Sequence, residues 1–421
     1  MPLFSPSRGR AARLLDLLAI TLFLFVFLGL GVYHYRRLGR DTPDPEAVRE
    51  LSERTFQEPK PAEARGPDYV WPQWRGPQRD GISTETDILS KWPKDGPKKL
   101  WDAKIGEGFS SVAVALGRVF TMFQDGPHET VICWDAETGR EIWRFGYDAD
   151  YKNSYGNGPR ATPSVDGKLV YTVGGTGMMH CLEADTNDPK GKLVWSRDLL
   201  KEFAAPIPRW GVSFSPLVEG DRIFIMPGGP DGNSLAALDK KTGKTLWHKQ
   251  DDLASYSSPI ACTMHGQRQI LFLTGSRLIS VRPDTGEQLW DFPWHVENEC
   301  NIATPLVRDD FVFISASYGK GGMMVHVKKT GDAWKATAAY AKPARMRNHF
   351  SSSVRHMDHL FGFDDSTLVC MHFQSGRHTW SERGFDKGSV LLAGDQLIIY
   401  GANGLLALAE ANPNEYVEKS K

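Results

Sequence analysis

The chain has 421 residues, of which 41% are hydrophobic and 24% charged, so it has enough apolar sequence for a large core and belongs among globular proteins. Its formal net charge of −1, with Lys and Arg interspersed among Asp and Glu, offers no basic field and excludes nucleic acid as a partner. The 13 tryptophans and 41 glycines favour an all-β protein with many tight turns.

The first predicted element is a membrane span. After a basic N-terminus at residues 1–13, residues 14–35 are almost entirely apolar, and at ~1.5 Å per residue such a helix crosses a ~30 Å hydrocarbon layer. Arg36 and Arg37 follow the span where a signal peptide would have small residues, so cleavage is not expected. With Arg40 they nearly balance the arginines in front of the span, and charge alone leaves its orientation open.

Residues 36–68 are rich in proline and charge and lack strand alternation, so they are predicted to be a linker that tethers the globular part. Within this linker a short helix is compatible with residues 46–56. The remainder of the chain, residues 69–421, forms the predicted globular domain.

That domain is built from a repeat. A phrase of the form Asp-x-x-Thr-Gly-x-x-x-Trp recurs with a spacing of 42 to 52 residues, the period of a propeller blade. Its anchors are Trp101, Trp143, Trp195, Trp247, Trp290, Trp334 and Trp380, with Gly139, Gly243 and Gly286 in the turns. Glycine supplies the positive φ of such a turn, and the tryptophan fills the space between neighbouring blades. These residues are therefore interpreted as structural.

Each unit has strand signals in a constant order. A segment ending in Ser-Pro or Thr-Pro precedes an apolar strand, then a third strand, the Thr-Gly turn and the tryptophan strand, which predicts four antiparallel strands per blade. The first strand of each blade lines the central channel of a propeller. Seven residues lie on or just before these strands and are candidate ligand-binding residues: Arg160, Trp210, Tyr256, Asn301, Asn348, His349 and Lys387. Two interpretations stay open, binding of a peptide, glycan or anion, or filling of the channel with hydrogen-bonded side chains.

The count of units predicts an incomplete ring. Trp101 is expected on an outermost strand without inner strands before it, and seven further units follow. The last unit supplies its own outer strand near residues 415–417, which leaves Trp101 without a blade to complete. The sequence therefore predicts seven blades of an eight-bladed propeller, truncated at the C-terminus. The alternative is a closed seven-bladed ring with residues 412–421 as a loose tail.

The five cysteines, Cys133, Cys181, Cys262, Cys300 and Cys370, form no adjacent or C-x-x-C pair. No zinc, redox or haem-attachment motif can be drawn from them, and they are expected to be small buried strand residues. Likewise, no nucleophile with its base, no pair of catalytic carboxylates and no metal-ligand set stands out, so no catalytic residue is assigned.

The repeat phrase resembles that of the pyrroloquinoline-quinone-type β-propellers, a superfamily containing both quinoprotein alcohol dehydrogenases and a non-enzymatic propeller of the outer-membrane assembly machinery. The resemblance covers about residues 71–415. The phrases at residues 71–81 and 155–163 are similar to those of membrane-anchored propellers from planctomycete-like bacteria. In the dehydrogenases a vicinal disulfide and a stacking tryptophan enclose the cofactor beside a calcium ion. This chain has no adjacent cysteine pair, which argues against that cofactor site.

The sequence thus predicts a non-catalytic binding or scaffold propeller with no cofactor and with a protein or glycan partner. It is expected in the inner membrane as a single-pass protein with the propeller in the periplasm, as the family resemblance and the arginines before the span favour. The alternatives are an oxidoreductase dependent on pyrroloquinoline quinone and calcium, and a glycan-binding propeller.

Overall fold

The structure is a computed structural model that describes residues 43–56, 71–85 and 88–421. The predicted membrane span at residues 14–35 lies outside the described residues. Among the described residues, none of the helices has both the length and the apolar character needed to cross a membrane.

Seven four-stranded antiparallel sheets follow one another along the chain, and each is one blade. In order, the blades are β2–β5 (Ala113–Ala115, Arg118–Asp125, His128–Asp135, Glu141–Asp148), β6–β9 (Ser164–Asp166, Leu169–Val173, Met178–Glu183, Leu193–Asp198), β10–β13 (Leu217–Glu219, Arg222–Ile225, Leu235–Asp239, Thr245–Lys249), β14–β17 (Ile260–Met264, Gln267–Leu273, Arg277–Val281, Gln288–Pro293), β18–β21 (Leu306–Arg308, Phe311–Ala316, Gly321–Thr330, Ala333–Ala338), β22–β25 (Val354–His356, His359–Asp364, Thr367–His372, His378–Glu382) and β26–β29 (Gly388–Ala393, Gln396–Gly401, Leu406–Glu410, Glu418–Ser420). Strand β1 (Ile82–Ser83) pairs in parallel with β26, and the short helices are α1 (Pro45–Glu53) and α2 (Leu199–Glu202). The predicted all-β architecture of four-stranded blades is confirmed.

The Asp-x-x-Thr-Gly phrase makes the turn between the third and fourth strands. In blade 1 the Asp135 carboxylate accepts hydrogen bonds from the Thr138 backbone N–H at 2.9 Å and from its hydroxyl at 2.7 Å. Gly139 follows with φ +68°, a conformation that a side chain disfavours. Asp239 and Thr242 repeat the same pair of bonds in blade 3. The turn is thus specified locally by sequence.

The anchor tryptophans seat each blade on the next. The Trp195 indole donates to the Lys240 carbonyl of blade 3 at 3.2 Å and its ring lies on Gly243, and Trp247 makes the same contacts with Pro283 and Gly286 of blade 4. A Cβ at either glycine would lie within 3 Å of the tryptophan ring. Because the ring needs that space, the glycines serve the packing between blades as well as the turn.

Residues 71–83, here called the plug, run through the centre of the ring and contact every blade. The plug is bonded to Val114 of blade 1, Val165 of blade 2 and Leu392 of blade 7 through backbone groups, and Trp74 donates to Thr304 of blade 5. Two buried arginines reach the other blades. Arg79 donates to the carbonyls of Ser215, Pro216 and Pro259, and Arg75 to those of Ser352 and Ser353. The plug therefore satisfies carbonyls that would otherwise be buried in the channel without partners.

In the part of the chain that the structure describes, blades 7 and 1 share no hydrophobic cluster, and the place where they face each other is here called the slot. One face of blade 7 packs with blade 6, whereas on the other face Tyr400 is 57% exposed. The facing side of blade 1 has its own small cluster around Trp134, which Trp101 covers. Among the described residues these two clusters do not merge into one core.

Two sequence expectations are corrected at this slot. Trp101 does not lie in a strand, although its indole takes the seat of an outer-strand tryptophan: it donates to Ala136 at 2.9 Å and lies on Gly139. The outer strand of blade 7 is β29, three residues beyond the position expected, and it pairs with β28. The tail is therefore not loose.

Residues 44–56, here called the strap, pack on the outer side of blades 5 and 6. Helix α1 begins after Asp44, whose carboxylate caps it, and buries Ala47 and Leu51. Phe56 lies edge-on to Phe311 and Phe373 at centroid distances of 5.8 and 5.4 Å. Full burial of a leucine such as Leu51 is worth about 1.5–3 kcal/mol, and the half-buried Phe56 adds a smaller contribution. This part of the predicted linker is a docked element of the domain.

Candidate functional site

The mouth is the end of the channel where the inner strands begin. Around it lies a group of aromatic and basic side chains, of which five are exposed (Phe109, Tyr155, Arg209, Tyr318 and Phe350) and three are half-buried (Trp210, His349 and Lys387). Tyr155 is 72% exposed, Phe350 63% and Phe109 59%. Exposed rings in such number on one surface are unusual for a protein without a partner.

Arg160 organises the loop that presents Tyr155. Its guanidinium lies 4.7 Å from the Tyr151 ring centroid and 5.3 Å from that of Phe109, and it donates to the carbonyls of Gly156 and Gly158. Burial lowers the pKa of Arg160, while Tyr151 and Glu129 favour its charged form. Both terminal nitrogens of this predicted ligand-binding residue are thus bonded to its own loop.

Trp210 and Tyr256, two other predicted site residues, are brought together. Their ring centroids are 5.6 Å apart, and the Trp210 backbone N–H donates to the Tyr256 hydroxyl at 3.4 Å. Tyr155 stands nearly perpendicular to Trp210, at 6.1 Å and 77°. Arg209 lies 5.1 Å from the Trp210 ring and donates to the side chain of Asn298 at 2.9 Å. Burial raises the pKa of Tyr256, which therefore stays protonated.

His349 and Lys387 form a second group with two residues that the sequence did not single out. His349 stacks on Phe350 at 3.8 Å, and its ring nitrogens contact the Tyr318 hydroxyl and the Lys387 ammonium. The Lys387 ammonium lies 4.9 Å from the Phe350 ring centroid. Burial and the nearby Lys387 charge lower the pKa of His349, so the imidazole accepts from lysine as a neutral ring.

Asn301 and Asn348 lie below this surface and are buried. Asn301 donates to the carbonyls of Thr274 and Trp294, and Asn348 donates to Phe363 and accepts from Ser353. The Oδ1 atom of Asn301 is buried without a hydrogen-bond partner. Both side chains connect neighbouring segments beneath the mouth and do not reach its surface.

Five site residues were missed, and all of them lie in loops outside the inner strands: Phe109, Tyr155, Arg209, Tyr318 and Phe350. Tyr318 occupies the β19–β20 turn with φ +55°, and Tyr155 lies in a loop held by Asn153, which accepts from the Tyr155 N–H at 3.0 Å. The only local signal is the placement of large aromatic residues beside glycines in polar loops, as in Tyr155-Gly156 and Tyr318-Gly319.

The channel and the cysteines do not fit a quinone cofactor. Plug side chains fill the channel at the level of the Ser-Pro and Thr-Pro segments, and Arg79 there is only 2% exposed. All five thiols are free and buried, and none is paired with another. Within the ranges that the structure describes, no three His, Cys, Asp or Glu side chains are grouped to hold a metal ion. The mouth can hold a ligand by its rings and cations.

The blades, the repeat turns and the tryptophan seats define a quinoprotein-like β-propeller. The family model described as outer membrane protein assembly factor BamB matches residues 127–382, more than half of the chain. The chain belongs to this family.

Curated relatives include the outer membrane protein assembly factor BamB of Burkholderia pseudomallei, 24% identical over 222 residues, and that of Shewanella oneidensis, 25% identical over 223 residues. Each alignment covers 51% of this chain, and the chain spans only 51% and 55% of those two proteins. Among solved structures, BamB from Moraxella catarrhalis aligns with a TM-score of 0.47 at 16% identity, covering 72% of this chain and 83% of that one. A europium-containing methanol dehydrogenase gives 0.46 at 12% identity, covering 71% and 72%.

Proposed function

We propose that this chain is a membrane-anchored, extracytoplasmic scaffold that binds a protein partner at the mouth of its propeller. The observation behind this proposal is the set of exposed rings around Trp210 and Phe350. Trp210 lies beside Arg209, and Phe350 lies beside Lys387. Tryptophan, tyrosine and arginine dominate the binding energy of protein interfaces. The two aromatic residues do so because they bury a large area with few rotatable bonds.

The mouth is also preorganised. Tyr155 stands on a loop with internal hydrogen bonds, and Arg160 braces the same loop through the carbonyls of Gly156 and Gly158. A surface that is already ordered loses little conformational entropy when it binds, so a given contact area gives tighter binding. Rings held in this way favour a protein ligand over a cofactor, which would need an enclosed cavity.

The names of the relatives point in the same direction. Two curated relatives are called outer membrane protein assembly factors, which is a role in handling other proteins. Because the alignments cover about half of each relative, their partners are not transferred to this chain. What we take from them is the general role of a propeller that holds proteins.

We place the propeller in the periplasm, attached to the inner membrane by residues 14–35. The apolar run at these residues and the three arginines before it support this orientation. Protease added to spheroplasts is expected to digest the propeller. Survival of the intact chain, while a periplasmic control is digested, would contradict this topology.

We also propose that the slot between blades 7 and 1 is the eighth place of the ring. Trp101 seated on Gly139 and the exposed side of Tyr400 support this assignment. A Tyr400→Cys variant tests it by thiol labelling in cells. If the thiol at position 400 is protected in cells but is labelled rapidly in the purified chain, a further segment occupies the slot. Equal labelling in cells and in the purified chain opposes the proposal.

The binding function is tested with a photoreactive amino acid at position 155 or 350, at the mouth, and at Met357 in the β22–β23 turn at the opposite end. We expect one protein to be cross-linked in cells from both mouth positions and not from 357. The same protein must lose its cross-link when Trp210→Ala is added. Equal yields from both ends, or none, would remove the proposal.

Binding assays on the purified chain separate the two alternative functions. Saturable, calcium-dependent quenching of tryptophan fluorescence by pyrroloquinoline quinone, with alcohol oxidation, would favour the oxidoreductase. Retention on immobilised glycans that Trp210→Ala abolishes would favour a glycan-binding propeller.

A further inference from the structure

The docked strap shortens the tether between membrane and propeller. Nine residue steps separate Tyr35, the last residue of the predicted span, from Asp44. At no more than ~3.6 Å per residue, these steps reach about 32 Å. If the chain were free up to the plug at Trp71, 36 steps would reach about 130 Å. Docking of the strap therefore reduces the reach of the propeller about fourfold.

Several independent contacts hold the strap. Lys328 pairs with Glu50 at 2.5 Å and with Glu46 at 3.1 Å, and Arg54 pairs with Asp310 at 3.3 Å. Gln374 donates to the carbonyl of Leu51, in the last turn of the helix, at 2.9 Å and to that of Arg54, just after the helix, at 2.6 Å. The Arg308 guanidinium lies 4.1 Å from the ring centroid of Phe56. Contacts at both ends and along the helix fix its position on blades 5 and 6.

The distance from the strap to the mouth follows from strand register. The Asp44 N–H donates to the Ala338 carbonyl at 3.0 Å, and Ala338 pairs with Val325. From Val325 the strand β20 runs back to Gly321, below the turn with Tyr318 at the mouth. Four residues at ~3.4 Å and the turn above them amount to about 20 Å. The mouth beside blade 5 thus stays within about 50 Å of the hydrocarbon layer, in any orientation of the propeller.

We infer that the partner bound at the mouth is a protein resident in the same membrane as the anchor. This inference rests on the proposed function, both the binding mouth and the membrane anchor. A partner anchored in another membrane can reach the mouth only if its own chain spans the distance between the two membranes. A partner in the same bilayer is already confined to the distance that the short tether allows. Confinement raises the effective concentration of such a neighbour, and a shorter tether raises it further.

The test lengthens the tether in the full chain. A 30-residue Gly/Ser insert between Arg40 and Asp41 raises the nine steps to 39, and a matched control has the same insert after Lys421. Effective concentration falls as about the −3/2 power of tether length, so cross-linking from position 155 is expected to fall about ninefold in the first variant and to be unchanged in the second. The cross-linked partner is expected to stay in the inner-membrane pellet after alkaline extraction.

A second variant lengthens the free tether without an insert. Phe56→Ser with Leu51→Asp releases the strap, and we expect it to lower cross-linking in the same direction, with Arg49→Ser on the exposed side of α1 as the control. A partner that is soluble or resides in the outer membrane, or a yield that is unchanged or raised by the longer tether, overturns the inference and leaves the mouth as a binding site. Absence of any cross-link specific to the mouth overturns the proposed function itself.

Discussion

Trp101 lies on Gly139, with its indole N–H donating to the Ala136 carbonyl at 2.9 Å, although Trp101 belongs to no strand. A Cβ at Gly139 would lie 2.5 Å from the indole ring. On the side of blade 1 that faces the slot, the side chain of Trp101 alone therefore occupies the position that an outer-strand tryptophan has on the other blades.

Gly139→Ala is expected to destabilise the domain more than Gly117→Ala does. Both glycines have similar positive φ, +68° and +66°, but a Cβ at Gly117 meets nothing within 4 Å. The control measures the conformational cost, about 1–2 kcal/mol, and Gly139→Ala adds the clash with the ring, about 1–3 kcal/mol. Denaturant unfolding gives both free energies. Equal losses would mean that Trp101 does not occupy the seat.

Arg79→Met is expected to cost at least about 3 kcal/mol of unfolding free energy. The substitution keeps most of the side-chain volume but leaves the carbonyls of Ser215 and Pro259 without the buried guanidinium that donates to them. Arg383→Met, at an exposed position, should change stability by less than about 0.5 kcal/mol. Similar losses in the two variants, measured by thermal and denaturant unfolding, would show that the plug is not required.

Stability is expected to fall on acidification through His180. Burial lowers the pKa of His180 to about 4, from an unfolded value near 6.5, and its Nδ1 atom has no hydrogen-bond partner. The unfolded state thus binds the proton first, so the stabilisation is complete above pH 6.5 and is lost as the pH falls towards 4. The maximal loss is about 3 kcal/mol.

His180→Phe should remove this part of the pH dependence, because a phenyl ring keeps the packing against Tyr147, whose ring centroid is 4.2 Å away. His295→Phe at an exposed position is the control and should leave the slope unchanged. Parallel stability curves for the wild type and His180→Phe between pH 4 and 6.5 would refute the assignment.

The thiols are expected to be unreactive in the folded protein. All five cysteines are buried, and burial raises the pKa of Cys133, Cys181 and Cys262 to about 12 and that of Cys370 to about 11. Since only the thiolate reacts, an aromatic disulfide reagent at pH 8 should label none of them within minutes. Five should react in denaturant. A single fast thiol in the native chain would indicate an opening near that residue.

The blades could be predicted because their signals are local. Asp135, Thr138 and Gly139 specify one turn within five residues, and the tryptophan four residues after the glycine marks the outer strand. This short-range chemistry repeats in most units, so periodicity gives the number of sheets and the order of strands.

The plug and the mouth could not be predicted in this way because they depend on contacts between distant residues. Arg79 meets Pro259 across 180 positions, and Gln374 meets Leu51 across 323. The exposure of Tyr318 depends on which neighbours the ring brings beside it, and no property of its own turn reveals them. The seven candidate residues, expected on or just before the inner strands, all lie just before them, and Trp210, His349 and Lys387 are at the mouth. The loop residues that complete its surface, such as Tyr155 and Tyr318, were not predicted.

Residues 71–83 contact all seven blades from the centre of the ring, and these contacts affect how the domain folds. Propeller blades contact mainly their sequence neighbours, which by itself would allow them to form and to open one at a time. A segment near the start of the chain that is bonded to Leu392 in the last blade adds contacts of very high sequence separation. Such contacts slow folding because a long loop must close before they form. The stability of the plug and that of the blades are therefore coupled, and this domain is expected to unfold in one cooperative step.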